Sequence, residues 1–238
     1  MRDWKTTILL SLLFAALLLA VILPMHAQLP QPYTIFTPYA YPVVPGTSEW
    51  GALRGHVPKM RACFVPDELV GQMSTDALLE TFLTHPLADE LFLHDSYHNG
   101  FLFLKDAYHI GLAELMERED LDEAVLEKYR GIPICTVEPP DDMSVDLLYQ
   151  TYQKEFDDIW RIDLLEVIAA EIDDDHRSIA LMNAILDSYA ARAKNPRIYQ
   201  KYTQELVYNR AFVRTWAEKH YNPTSPTCRP LYPLVTIP

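Results

Sequence analysis

An apolar stripe of helical period runs from Val145 to Ile172. Val145, Leu148, Tyr152, Phe156 and Ile159 step by 3, 4, 4 and 3, and Ile162, Leu165, Ile168 and Ile172 continue at nearly that spacing. Residues three and four apart share one helical face, so a stripe of this length must be buried against other elements. Shorter versions of the signal surround it. Pro66 is placed to open a helix bearing Leu69, Val70 and Met73, and Ser74 to cap one bearing Leu78, Leu79, Phe82 and Leu83. Leu87 to Met116 is apolar-rich, with Gly100 and Gly111 as expected breaks. Asp120 stands as the cap of a helix with Leu121, Val125, Leu126 and Tyr129 on its face, and Gly131 is positioned to end it. Asp173, Asp174 and Asp175 form a turn with capping chemistry. Ile179, Met182, Leu186 and Tyr189 mark the next helix, and Asn195-Pro196 starts the last, with Tyr199, Tyr202, Leu206, Val213 and Trp216 on its face.

The expected fold is therefore all-α: an antiparallel helical bundle or stacked helical pairs, with Pro-rich extended N- and C-terminal segments. Phe101–Leu104 and Ile132–Val137 are short enough to be strands without changing that class. Proline numbers 18 against 7 glycines, and the prolines gather toward the two ends, which leaves the middle free for helices. So few glycines argue against Gly-rich phosphate loops and hairpin-rich β folds. Phe156, Trp160, Leu165, Ile168, Met182, Leu186 and Trp216 are expected to form a common core.

Four segments follow from composition. Residues 1–27 carry Arg2 and Lys5, then the apolar run Ile8–Leu23 and Ala27 before a cut: a signal peptide or an N-terminal membrane anchor. Residues 28–48 hold Pro30, Pro32, Pro38, Pro42 and Pro45 and no charged residue, and read as a Pro/Tyr-rich spacer. The alternative is a strip that docks through Tyr33, Tyr39 and Tyr41. Residues 49–221 form the helical domain and 222–238 a Pro-rich tail. Either fate of the first segment exports the domain, to the secreted fraction or the cell envelope. The formal net charge of −13 repels phosphate backbones, so nucleic acid is not an expected partner. Membrane contact is expected only through an uncleaved N-terminal segment.

Val44 to Trp50 reads VPGTSEW, Ala62-Cys63 follows shortly before Pro66, and Met73 to Leu87 reads MSTDALLETFLTHPL. This order resembles a family of uncharacterised secreted bacterial proteins, in which a VPGT-x-EW segment precedes a cysteine, a proline-started helix, then MST and a helix ending at Tyr-Pro-Leu. His85-Pro86-Leu87 replaces the usual tyrosine form here. Leu164-Leu165-Glu166 and Asn195-Pro196 to Tyr199 are similar less specifically. The resemblance implies a bacterial origin, export and a helical fold, and no activity.

No catalytic residue and no cofactor are expected from motifs. His94 and His98 are the weak metal candidates: four apart on one helix, they would share a face, with Asp95 and Asp106 nearby. The glutamate of a His-Glu-x-x-His site is absent, and His85 and His109, 9 and 11 residues away, do not complete a ligand set on one straight helix. Asp173, Asp174, Asp175 and His176 lack the spaced ligands of a calcium loop. Asp157, Asp158 and Asp163 beside Trp160 would suit a carbohydrate but also fit a solvated helix face. Cys63, Cys135 and Cys228 leave three pairings open, with Cys135–Cys228 favoured because both lie in irregular Pro-rich stretches. The leading functional expectation is a non-enzymatic exported helical binding or structural module, meeting a protein or a cell-envelope component. The alternative is a metal-dependent hydrolase using His94 and His98.

Overall fold

The computed structural model of the protein describes residues 34–108, 110–173, 176–199 and 210–220. The chain separates into two compact units, residues 1–34 and 35–238; of the first, only Thr34 is described. The Ile8–Leu23 run, His109, Cys228 and the tail lie outside the described residues, and no described helix is long and apolar enough to cross a membrane.

The second unit is all-α. Its helices are α1 (Ser48–Ala52), α2 (His56–Ala62), α3 (Asp67–Val70), α4 (Thr75–Leu83), a 3-10 turn η1 (Ala88–Leu93), α5 (Tyr97–Ala107), α6 (Leu112–Met116) and α7 (Leu121–Gly131). After a Pro-rich strap come α8 (Val145–Thr151), α9 (Gln153–Glu171), α10 (Ile179–Arg192) and α11 (Ala211–His220). Local chemistry sets the starts. Ser74, Ser96, Ser144 and Ser178 each accept a hydrogen bond from the backbone N–H three residues on, satisfying donors that a helix start leaves open. α9 is the hub, packing against α4, α5, α7, α8 and α11.

Several local expectations change. The chain pauses at Tyr152, so the long stripe is two helices, and Val145 at its start is exposed. Phe101–Leu104 lie within α5 rather than in a strand, and among the described residues the one β feature is an isolated parallel bridge between Ile35 and Met73. Gly100 does not break α5; Gly111 does end that stretch, at φ +75° ahead of α6. Asp120 precedes α7 but its Oδ1 accepts from the Thr75 hydroxyl at 2.5 Å instead of capping. Ser178 caps α10, and of the aspartate turn only Asp173 is described. Arg177 instead caps the end of α9, donating to the carbonyls of Ala169 (2.7 Å), Ala170 (2.9 Å) and Ile172.

The irregular segments are also anchored. Residues 35–41, placed in the spacer by composition, lie on the helical unit: Tyr39 N–H donates to Thr81 Oγ1 (2.8 Å) and Tyr41 O–H to the Thr81 carbonyl (3.0 Å). The strap at 132–143 forms no ladder. Cys135 N–H donates to Tyr199 Oη, and Asn195 and Arg197 donate to carbonyls of Val137, Pro139, Pro140 and Met143.

The predicted core is corrected in part. Leu165 and Ile168 are fully buried, but Phe156, Met182 and Trp216 are half-buried, and Trp160 and Leu186 are exposed, Leu186 at 47%. On α10 the buried face is Leu181, Ile185, Ser188, Tyr189 and Arg192, one residue out of phase with the expected face. Apolar residues occur all round this helix, so spacing alone supports both faces. Leu165→Ala is therefore expected to cost about 3 kcal/mol by opening a cavity, and Leu186→Ala less than about 1 kcal/mol. Chemical denaturation of the two variants checks this: equal losses would mean that the α10 face is wrongly assigned.

Candidate functional site

Besides the ion-pair network of Asp76, Glu80, Lys128 and Arg161, three polar clusters occur in the described residues. In the first, Glu166 is fully buried on α9. Its Oε1 accepts from Tyr129 O–H (2.9 Å) and its Oε2 from Tyr189 O–H (2.7 Å) and Phe212 N–H (3.2 Å). Tyr129 also reaches Ser188, and Arg192 and Arg210 lie against the Tyr129, Tyr199 and Tyr189 rings. Burial, then the Glu166 charge, pushes the Tyr129 phenol far up, so it stays a donor. This network ties α7, α9, α10 and α11 together and presents nothing to solvent.

In the second, Tyr108 O–H donates to Glu90 Oε2, His56 Nε2 lies 2.9 Å from Tyr108 Oη, and His56 Nδ1 lies 3.2 Å from Glu90 Oε1. The three groups contact one another. Cys63 lies buried nearby, its thiol pushed up to about 11 by burial and the Glu90 charge, so it is un-ionised near neutrality and is no activated nucleophile. His85 packs edge-on against Tyr41 and Tyr108, and its Nδ1 accepts from Leu87 N–H at 3.1 Å.

Burial lowers the His85 pKa to about 4, with the Cys63 backbone acting in the opposite sense. The folded state thus holds His85 neutral, while the unfolded chain takes up a proton near the ordinary 6.5. Stability from this group is complete above pH 6.5 and is lost as pH falls from there toward about 4, by on the order of 3 kcal/mol. The unfolding free energies of the native chain and of a His85→Gln variant, compared over that window, should converge as pH drops. Parallel curves would contradict the assignment.

The third cluster is open. A cleft of about 310 Å³ forms where the start of α5, the ends of α9 and α11, and the α6–α7 turn meet. Glu218 of α11 accepts from the Tyr97 and His98 N–H groups (2.8 and 3.2 Å), placing a carboxylate at the positive end of α5. His98 then presents Nδ1 at 2.7 Å from Glu171 Oε1, a carboxylate only 5% exposed. Lys219 Nζ donates to the Glu171 carbonyl at 2.8 Å. Lys105, Arg118, Asp122, Asp173 and His176 line the remainder, with Glu117 and Glu119 at the rim.

Several of these groups have no internal role. Lys105 and Asp122 are half-buried and make no hydrogen bond or ion pair with any described residue. Arg118 spends Nη2 on Glu114 (3.0 Å) and reaches the Val70 carbonyl (3.4 Å), while its buried Nε–H has no acceptor. Glu171 fixes one imidazole nitrogen of His98, the arrangement that orients a ring for proton transfer or ligand hydrogen bonding. Among the described residues no serine, threonine or cysteine lines the cleft, so no described hydroxyl or thiol stands beside that ring.

The two weak metal candidates, His94 and His98, do not share one helical face. His94 ends η1 with extended backbone (φ −86°, ψ 164°), three residues before α5 begins, and its ring packs on Phe103 at 4.7 Å. His98 turns instead to Glu171. The four-residue spacing therefore does not act as a helical spacing, because Ser96 starts a new helix between the two. Among the described residues no three His, Cys, Asp or Glu side chains converge as a metal set. Cys63 and Cys135 carry free thiols. Trp160 rests against Phe92, with ring centroids 4.5 Å apart, and Asp158 pairs with Lys154 at 2.7 Å.

Sequence reasoning singled out His98 but missed its partners. Glu171 carried a signal: it sits three residues after Ile168, on the apolar stripe, where an unpaired carboxylate would be costly. Lys105, Arg118 and Lys219 carried none. No family model, curated protein or solved structure matches this chain.

Proposed function

We propose that this protein is a non-enzymatic helical binding module, exported to the bacterial cell envelope or beyond, whose ligand occupies the cleft at His98, Glu171 and Arg118. One observation carries the reading. The cleft holds two half-buried charges, Lys105 and Asp122, that pair with no described residue. Such charges lose part of their hydration on folding, and a complementary ligand replaces it.

Export rests on the Arg2/Lys5 and Ile8–Leu23 pattern and on the resemblance of the Val44–Leu87 segment to secreted bacterial proteins. Two measurements test the proposal. N-terminal sequencing of the native protein should begin at or near Gln28 if the segment is removed, and an intact cytosolic protein would overturn export. Titration of the labelled protein with a fractionated small-molecule extract of the cell envelope should shift the resonances of His98, Lys105 and Lys219 together. Shifts confined to other surfaces, or none, would overturn the cleft assignment.

A further inference from the structure

We infer that the cleft takes a small zwitterion of the amino-acid or dipeptide class, its carboxylate on Lys105 and its ammonium on Asp122. The inference rests on the reading of this cleft as the ligand site.

The charges left over after internal pairing point to it. Glu171 is occupied by His98, Lys219 by the Glu171 carbonyl, and the Arg118 Nη2 by Glu114. What remains half-buried and unspent is one cation, Lys105, and one carboxylate, Asp122. Lys105 and Asp122 form no ion pair with each other, and both line the cleft.

A simple anion would gain the Lys105 ammonium but would meet Asp122 and the rim carboxylates Glu117 and Glu119. A simple cation would gain those carboxylates and meet Lys105. A ligand with one charge of each sign satisfies both ends at once, and a mismatch at either end leaves a half-buried charge uncompensated. The partly exposed side chains of Leu102 and Met116 supply an apolar wall between them. A volume of about 310 Å³ sits at the small end of ligand pockets, which suits a body no larger than a dipeptide.

Calorimetric titration of the full chain with four probes tests the inference: leucine, alanyl-leucine, N-acetyl-alanyl-leucine and alanyl-leucine amide. At least one of the two zwitterions should bind, and each capped form should bind at least about tenfold more weakly than the uncapped dipeptide. Binding of leucine alone identifies a free amino acid as the ligand class, and preference for alanyl-leucine identifies a peptide. Lys105→Met and Asp122→Asn should each weaken zwitterion binding by at least about tenfold, with the unfolding midpoint unchanged. Equal binding of capped and uncapped dipeptides would overturn the zwitterion inference, while shifts at His98 would still uphold the cleft. No binding of either zwitterion up to about 10 mM would overturn it as well, and the extract titration then judges the cleft separately.

Discussion

Gly100→Ala is expected to cost about 4 kcal/mol or more, or to prevent folding. Gly100 lies inside α5, where glycine is intrinsically a poor helix former. An added methyl would usually help there. Here, however, a Cβ at Gly100 would stand 2.0 Å from the Leu91 carbonyl oxygen and 2.8 Å from its carbon. Both are backbone atoms, so no side-chain rotation relieves the clash, and η1 must move off α5. The movement would uncover Leu91 and Leu104, both fully buried. Thermal or denaturant unfolding of Gly100→Ala checks this, with Gly51→Ala as the control, since a Cβ at Gly51 meets nothing within 4 Å. A Gly100 variant as stable as the native chain would show that α5 and η1 do not approach this closely.

Glu166→Ala should be nearly as damaging, at about 4 kcal/mol. The carboxylate accepts from two tyrosine hydroxyls and one backbone N–H in a site without solvent contact. Truncation removes the charged acceptor and leaves those donors buried, and each unsatisfied donor costs about 1–3 kcal/mol. The hydroxyls come from α7 and α10 and the N–H from the start of α11, so the loss loosens three helices at once. Tyr129→Phe and Tyr189→Phe remove one donor each and should cost about 1–2 kcal/mol apiece. Equilibrium unfolding of the three variants checks the ordering. A Glu166→Ala variant milder than Tyr189→Phe would contradict the network.

Where the helices lie is largely legible in the residues themselves. Ser74 announces the start of α4, Gly111 the break before α6, and the stripe from Ile162 to Ile172 the body of α9. These signals act between residues three or four apart, so the chain carries them locally. The break at Tyr152 is not legible, because an interrupted pair of helices keeps the same apolar spacing as one long helix.

Faces and sites depend on packing. α10 has leucine, isoleucine, methionine or alanine on every side, so burial of Leu181 and Ile185 over Met182 and Leu186 is decided by the helices it meets, α7 above all. His94 and His98 form a pair only on the assumption of one continuous helix, and Ser96 divides them.

The local rules of the sequence determined an all-α protein with caps and breaks at named residues, because hydrogen-bonded turns and apolar period are short-range properties. Tertiary structure alone brought His98, Arg118, Glu171 and Lys219 around one cleft and left Lys105 and Asp122 unspent in its walls. Those residues come from separate elements as much as 121 positions apart, counting Tyr97 and Glu218 that bind at the same junction. No spacing rule reaches across that distance, since the contact exists only after the helices have packed.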